Sequence, residues 1–308
     1  MPDQKLSRES FERAMNFIRT DARPLDRARF AFHFENGGRD AVTAELAKFQ
    51  NADGGFQSVL ESDTRWTGSS GLAAMKALKV FNEVGAPASD PHVRALVKYL
   101  LATFDESAGR WHALPKAANG APHAPWWDVK DELGRSEVES PVFPTAALAG
   151  YLRAYASLLP PGFLDRVTAS CLNYLEAAPV KMPMPDIDAL SVLVNYLPLT
   201  ERAAAVQKLK AALAEETVVD PQKWSEYNIR PLTFVHSPDS PLYSGPTAAV
   251  NLNLDYIVST QEPDGGWGLT WSWADRDAAA WNLAEREWRG VMTLENLEIL
   301  TAFHRVSR

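Results

Sequence analysis

The chain has 308 residues, of which 46% are hydrophobic and 23% charged, and these proportions are typical of a well-buried globular protein. The formal net charge of -8 argues against a nucleic-acid partner, because the chain has no excess of basic groups to neutralise phosphates. No apolar run approaches the ~20 residues that a transmembrane segment needs. The single Cys171 permits no internal disulfide, so we expect a cytoplasmic protein.

Helical patterns follow one another along the whole chain, with start signals such as Pro24 and Thr200-Glu201. No alternating strand pattern is visible, so the sequence predicts an all-α fold. The predicted helices cover 7–20, 24–35, 39–50, 66–82, 91–104, 144–158, 163–176, 187–197, 200–215, 247–260 and 290–305.

Two helix types alternate along the chain. Segments such as 41–48 and 203–210 are amphipathic, whereas 72–78, 145–152 and 189–194 are apolar on nearly every side. Helices that are apolar all round are normally enclosed by other helices. The alternation therefore predicts outer helices wrapped around inner ones.

A seven-residue phrase occurs twice, since 50–56 and 261–267 both read Gln-x-x-Asp-Gly-Gly-aromatic, and 105–111 is a weaker copy. Each full copy lies between two helical stretches, and the spacing predicts about six helical pairs. Six pairs closing on themselves would make an (α/α)6 toroid, and an open solenoid is the competing arrangement. We expect one domain over 1–308, with a long loop insertion at about 112–142 and an irregular segment at about 217–245.

The repeated phrase resembles the QW-type repeat of squalene–hopene cyclases and of protein prenyltransferase β subunits. Taken whole, the chain is similar to small single-domain bacterial prenyltransferase-like proteins. The resemblance implies a terpenoid cyclase/prenyltransferase-like barrel whose central cavity holds the ligand. Class II terpene cyclases carry Asp-x-Asp-Asp at the start of an inner helix, where the middle Asp protonates an alkene or epoxide.

Asp186-Ile187-Asp188 matches that motif, although Ala189 replaces its last Asp. The resemblance assigns the acid to Asp188, with Asp186 beside it. Losing a neighbouring partner matters, because protonating an alkene needs a strong and well-positioned acid. The structural alternative is that both aspartates cap the helix and complement its dipole.

Other candidates come from their positions between helices, because loops that lead into inner helices would converge at one end of the cavity. The insertion at 112–142 contains His123 beside paired tryptophans, which would place an acid/base group against an aromatic wall or simply pin the loop. Acid, Arg and Trp also occur together before two inner helices, where they would grip an anionic group or brace the junction. The catalytic candidates beside Asp188 and Asp186 are thus His123 and Glu287, and the substrate-binding candidates are Arg65, Trp66, Trp126, Trp127, His236, Trp271 and Arg289.

The leading functional hypothesis is an enzyme that binds an apolar molecule, such as an isoprenoid, in a Trp-lined cavity and performs acid/base chemistry. Cyclisation, isomerisation or hydration are the reactions considered. The alternatives are a non-catalytic binder of hydrophobic ligands and a carbohydrate-active (α/α)6 barrel enzyme. No cofactor or metal is expected, since no Cys follows Cys171 and no His pair has metal-ligand spacing, which argues against a zinc prenyltransferase.

Overall fold

The computed structural model describes residues 4–130 and 136–307 of the chain. Within these residues 57% of the chain is helical and no strand forms, which confirms the predicted all-α class. The eleven α-helices of the described residues are α1 (Arg8–Asp21), α2 (Pro24–Phe34), α3 (Arg39–Ala47), α4 (Gly71–Glu83), α5 (Pro91–Thr103), α6 (Thr145–Leu152), α7 (Phe163–Ala177), α8 (Met184–Tyr196), α9 (Leu199–Glu216), α10 (Ala248–Ser259) and α11 (Ala278–Ala302).

Three helix boundaries differ from the predictions for local reasons. Helix α4 begins at 71 rather than 66, because the Ser70 hydroxyl accepts a hydrogen bond from the Ala73 N–H and caps the helix there. Helix α6 ends at Leu152 and continues as a 3-10 helix to residue 158. Helix α11 begins at 278 instead of 290, because Asp277 caps it through the Ala280 N–H. Residues 287–289 therefore lie inside a helix, and the predicted loop before the last helix was wrong.

The apolar helices form an inner row. Every residue of α6 is buried, and α6 packs between α4 and α8. Gly150 permits the close approach to α8, since a Cβ at this position would lie 3.0 Å from the Leu193 Cα. Helix α7 covers α6 from outside, and α9 covers both α7 and α8. The predicted alternation of inner and outer helices holds in this part of the fold.

The two ends of the chain meet. Helix α1 packs against both α2 and α11, and α11 also contacts α2. The Leu6 N–H donates to the Arg305 carbonyl at 2.7 Å, and the Ser307 N–H donates back to the Leu6 carbonyl at 2.9 Å. The first and last helices are thereby fixed side by side.

The two copies of the repeated phrase have the same local structure. In each, the Gln side-chain amide donates to the carbonyl of the first Gly at 3.0 Å, and the Asp carboxylate accepts from the N–H of the second Gly. The first Gly is left-handed in both, with φ of 89° at Gly54 and 97° at Gly265. The weaker copy at 105–111 shares one hydrogen bond with the second copy. Trp111 and Trp267 each donate an indole N–H to a backbone carbonyl of the preceding helix at 2.7 Å.

Two long segments carry little regular structure. The insertion contains only the short 3-10 helices Lys116–Gly120 and Pro125–Trp127 among its described residues, and residues 131–135 lie outside them. Between α9 and α10 the chain forms one 3-10 helix, Pro221–Lys223. None of the helices in the described ranges is both long and apolar enough to cross a bilayer.

Gly265→Ala should destabilise the fold more than Gly245→Ala. Both glycines have φ near 97°, but a Cβ at Gly265 would lie 2.3 Å from the Arg13 carbonyl oxygen, whereas nothing lies within 4 Å at Gly245. We expect Gly265→Ala to lower the free energy of unfolding in urea by roughly 1–3 kcal/mol more than the control substitution. Equal losses would show that the close approach to α1 contributes nothing.

Candidate active site

Helices α4 and α11 each carry a row of partly accessible side chains, although neighbouring residues of both helices are buried. An ion pair joins the two rows. The row of α4 contains Lys76 and Lys79, and that of α11 contains Trp288 and Glu295. Lys79 Nζ contacts Glu295 Oε1 at 2.7 Å, yet the Lys79 side chain keeps 40% of its exposure. We call the region that these partly accessible side chains border the inner cleft.

Lys76 occupies a central position in this cleft. Its ammonium lies 2.8 Å from Glu61 Oε2 and 5.2 Å from the centre of the Trp288 ring. The same charge also lowers the pKa values of Asp63 and Asp188 against the larger effect of their burial. One lysine therefore interacts with three carboxyl groups, which come from the loop before α4 and from α8.

Asp63 is held firmly by the segments around it. Its carbonyl accepts from the Ala124 N–H at 2.8 Å, and its Oδ1 accepts from the Trp273 indole at 2.7 Å. Burial, reinforced by the neighbouring Glu61, raises the pKa of Asp63 from an ordinary 3.8 to about 7. This carboxyl consequently retains a proton near neutral pH and can act as an acid.

Asp188 lies on the cleft side of α8, whereas Asp186 does not. Burial raises the pKa of Asp188, and Lys76, Lys79 and His236 partly oppose that shift. Asp186 is fully buried and accepts a hydrogen bond from the Tyr174 hydroxyl of α7 at 2.6 Å. Residues two apart in a helix point in nearly opposite directions, so only one of the two aspartates can reach the cleft.

An aromatic wall borders the carboxyl groups. Trp271 makes edge contacts with Trp288 at 5.4 Å and with Tyr227 at 5.8 Å between ring centres. Tyr227 is 64% exposed, and partial burial of its hydroxyl, together with the carboxylates of Asp188, Glu61 and Asp63, raises its pKa. The Trp271 indole N–H is buried and donates to no described residue, so it is available to a ligand oxygen, whereas the Trp288 indole lies near enough to Asp63 to help lower the pKa of that carboxyl against the larger effect of its burial.

Of the remaining candidates, His236 is the one that borders the cleft. Its charge influences both Asp188 and Glu295, and its Nε2 lies 3.0 Å from the Thr233 carbonyl oxygen. Although it is solvent-exposed, it therefore lies close to the proposed acid. The irregular segment between α9 and α10 thus contributes to the cleft without forming a helix.

Arg65 and Glu287 bind each other instead of a ligand. Two contacts join the guanidinium to the carboxylate, at 2.8 and 3.1 Å. The two acid–Arg–Trp segments predicted at a cavity mouth are therefore connected by an ion pair between loop and helix. This arrangement favours the bracing interpretation for both residues.

Arg289 lies away from the cleft. Its guanidinium pairs with Glu262 and, at 2.8 Å, with Asp264 of the second repeat, and it stacks over Phe17 of α1. Arg289 thus pairs with these two acids and not with Glu287, its neighbour in sequence. The reason is the earlier start of α11, which turns residues 287 and 289 to different sides of one helix.

His123 connects two loops rather than facing the cleft. Its Nδ1 donates to the Ala121 carbonyl at 2.6 Å, while its Nε2 lies 2.9 Å from Asp128 and 3.1 Å from Arg276. Arg276 also pairs with Asp128 at 2.6 Å, which ties the insertion to the loop before α11. The neighbouring tryptophans have packing roles: Trp127 stacks on Phe143, and Trp66 and Trp126 cover the hydrophobic core.

Three residues of the cleft, Glu61, Lys76 and Tyr227, were not among the sequence-based candidates. The informative pattern was a lysine pair three residues apart in a helix that is otherwise apolar, because charges on such a helix require partners inside the fold. Tyr227 had no comparable pattern in the sequence.

Comparisons with known proteins do not identify the chain. Neither protein-family models nor curated protein sequences give a significant match. The resemblance to cyclases and prenyltransferases therefore remains a prediction from the repeated phrase.

Asp63→Asn should flatten the pH dependence of stability. A carboxyl whose folded pKa exceeds its unfolded value stabilises the protein fully below the unfolded pKa, and this contribution is lost as pH rises through the folded pKa. The wild-type protein should thus lose roughly 2–4 kcal/mol at this group between pH 4 and pH 8, measured by urea unfolding. Asp63→Asn should remove that loss, whereas Trp273→Phe should shift it to higher pH by deleting the donor to the carboxylate. An unchanged pH profile in both variants would contradict the assignment.

Proposed function

We propose that the helices form a closed (α/α)6 toroid and that the inner cleft is its central cavity. The two repeats support closure. The turn after α3 docks on α5, the next outer helix, through Gln50 and the His92 carbonyl at 3.0 Å. The turn after α10 docks in the same way on α1, through Gln261 and the Ser10 carbonyl at 2.8 Å. Helix α1 thereby takes the place of the next outer helix after α10, as a ring requires.

We infer that the protein is an enzyme that performs acid/base chemistry in this cavity. The observation that carries the inference is the set of three carboxyl groups around Lys76, of which Asp63 and Asp188 have raised pKa values while Glu61 is paired with the ammonium. Carboxyl groups whose environments push their pKa values apart can divide the roles of acid and base. Asp188 is more accessible than Asp63 and is the proposed acid.

The substrate we favour has an apolar, isoprenoid-type body. Trp271, Trp288 and Tyr227 would contact that body, and their ring faces would stabilise a carbocation. Transfer of the Asp188 proton to a C=C bond would leave a cation on the neighbouring carbon. Loss of a proton from carbon to a carboxylate would complete an isomerisation or cyclisation. Capture of water, followed by loss of a proton from that water to the carboxylate, would complete a hydration.

A carbohydrate is the second candidate substrate. The buried Trp271 indole N–H, which has no partner among the described residues, suits a hydroxyl oxygen, and indole faces pack well on sugar rings. Carboxyl pairs are also the usual catalytic groups of glycoside hydrolases. The charged groups inside the cleft favour a substrate with polar groups, such as a carbohydrate, over one that is entirely apolar.

Ligand titrations followed by intrinsic tryptophan fluorescence would separate these functions. Linear isoprenoid alcohols and hydrocarbons form one panel, neutral oligosaccharides the other, and products are analysed by mass spectrometry. Conversion of an isoprenoid supports the first proposal, and hydrolysis of a glycan supports the second. Binding without conversion would favour a non-catalytic binding protein. No response in either panel would contradict both enzyme proposals.

Once a converted substrate is found, Asp188→Asn should lower kcat by at least about 100-fold, because it removes the proton donor. Asp186→Asn is the matched control from the same helix turn, since that carboxyl binds Tyr174 rather than facing the cleft. We expect the control to keep most of its activity. Thermal melting of both variants checks that any loss is chemical, and a fully active Asp188→Asn enzyme would remove the residue from the mechanism.

A further inference from the structure

A second polar cluster lies where α2, α4 and α11 meet. His33 Nε2 of α2 is 2.8 Å from Glu83 Oε1 of α4 and 3.2 Å from Glu298 Oε1 of α11. These three atoms all lie within 4.8 Å of one another. A nitrogen and two carboxylate oxygens from three different helices therefore converge on one point.

The three side chains provide fewer hydrogen-bond donors than their oxygen atoms could accept. A single imidazole nitrogen carries at most one proton, and an N–H bond can be directed well at only one of two oxygens. Glu298 Oε1 is buried and accepts no hydrogen bond from any residue that the structure describes. The oxygens of the two glutamates also lie within 4.8 Å of each other, so the ionised carboxylates would repel one another.

We propose that His33, Glu83 and Glu298 bind a divalent metal ion. An ion at the point where the three atoms converge would satisfy the imidazole lone pair and both oxygens at once. Its positive charge would also relieve the repulsion between the two glutamates.

The surroundings of the cluster resemble the outer shell of a metal site. Arg29 holds the Glu83 carboxylate with Nε at 2.9 and 3.0 Å from its two oxygens, and Asp26 contacts Arg29 at 3.3 Å. Hydrogen bonds of this kind orient ligating carboxylates. The positive charge of the Arg29 guanidinium disfavours the binding of a cation, but other acidic groups nearby offset this effect.

A count of the neighbouring charges supports this balance. Glu83, Glu295 and Glu298 provide three negative charges, and Arg29 and Lys79 provide two positive ones, which leaves one negative charge before an ion binds. Behind Arg29, Asp26 pairs with Arg23 at 2.7 Å, so these two residues together add no net charge. The cluster is therefore anionic as a whole.

The ligand set indicates the type of ion. One imidazole and two carboxylates suit Zn²⁺ or Mn²⁺ better than Ca²⁺, which prefers six to eight oxygens. The His33 and Glu298 side chains keep 28% and 30% of their exposure, so water can reach a further coordination position. We expect Zn²⁺ to bind most tightly, following the general order of affinities for nitrogen ligands.

His112 provides an internal comparison, because it also contacts two carboxylates. Its Nδ1 lies 2.8 Å from Glu139 and its Nε2 lies 3.0 Å from Asp105. Each nitrogen has its own partner, so the oxygens lie on opposite sides of the ring and do not converge. Each carboxylate therefore has a ring nitrogen to itself, and no ion is required.

The sequence predicted no metal site, and its short motifs could not have revealed this cluster. That expectation rested on ligand spacing within short motifs, whereas His33, Glu83 and Glu298 come from distant parts of the chain. The inference does not depend on the proposed enzymatic function, since it involves neither Lys76 nor the carboxyl groups around it.

Isothermal titration of the full-length, chelator-treated protein with ZnCl₂, and separately with MnCl₂, tests the proposal at pH 7.5. We expect one saturable site per chain. Glu298→Gln preserves the shape of the side chain and should weaken Zn²⁺ binding by at least about tenfold, and His33→Ala should do the same. His112→Ala is the matched control and should bind as the wild type does.

Thermal melting gives an independent readout. Zn²⁺ should raise the Tm of the wild type and of His112→Ala, and it should have little effect on Glu298→Gln. The proposal is overturned if no saturable binding occurs, if Glu298→Gln binds Zn²⁺ like the wild type, or if His112→Ala weakens binding equally. Should His33→Ala fail to fold, the nearly isosteric Glu298→Gln variant decides the question.

Discussion

The ammonium group of a partly buried lysine requires an anionic partner, and this requirement determines the contacts at the centre of the molecule. Helix α4 brings two lysines inside the fold, and each meets an acid from another element. Lys76 pairs with Glu61 of the preceding loop, and Lys79 pairs with Glu295 of α11. These contacts join α4 to its neighbours and leave a polar interior. In that interior burial outweighs the lysine charges, so that Asp63 and Asp188 keep raised pKa values.

The framework around this centre depends on close backbone contacts. Gly54 approaches the Ala95 carbonyl and Gly265 approaches that of Arg13, both at distances that no side chain would permit. The repeated phrase therefore acts as a docking element between consecutive outer helices. Since its second copy docks on α1, the same local chemistry that joins neighbours also brings the two ends of the chain together. Residues of α4 and α11 can then share one cleft although they are far apart in sequence.

Periodicity predicted the parts of this account that depend on one helix at a time. The helices were found from their apolar patterns, and the period of an α-helix explains why Asp188 faces the cleft while Asp186 faces α7. Pairings between distant residues had no comparable pattern. The partners of Arg65 and Arg289 could not be predicted, because an ion pair depends on the relative positions of two elements. Lys76 was overlooked for a different reason, since two lysines hardly change the apolar character of the rest of their helix.

The most direct measurement of the central claim is a carbon-13 NMR titration of protein labelled at its aspartate carboxyl carbons. Asp63→Asn and Asp188→Asn variants would assign the two resonances. If burial beside Lys76 keeps these groups protonated, both carboxyls titrate above their ordinary pKa of 3.8, with Asp63 near 7. Titration of both groups at or below the ordinary value would contradict the account, because the cleft would then contain no acid at neutral pH.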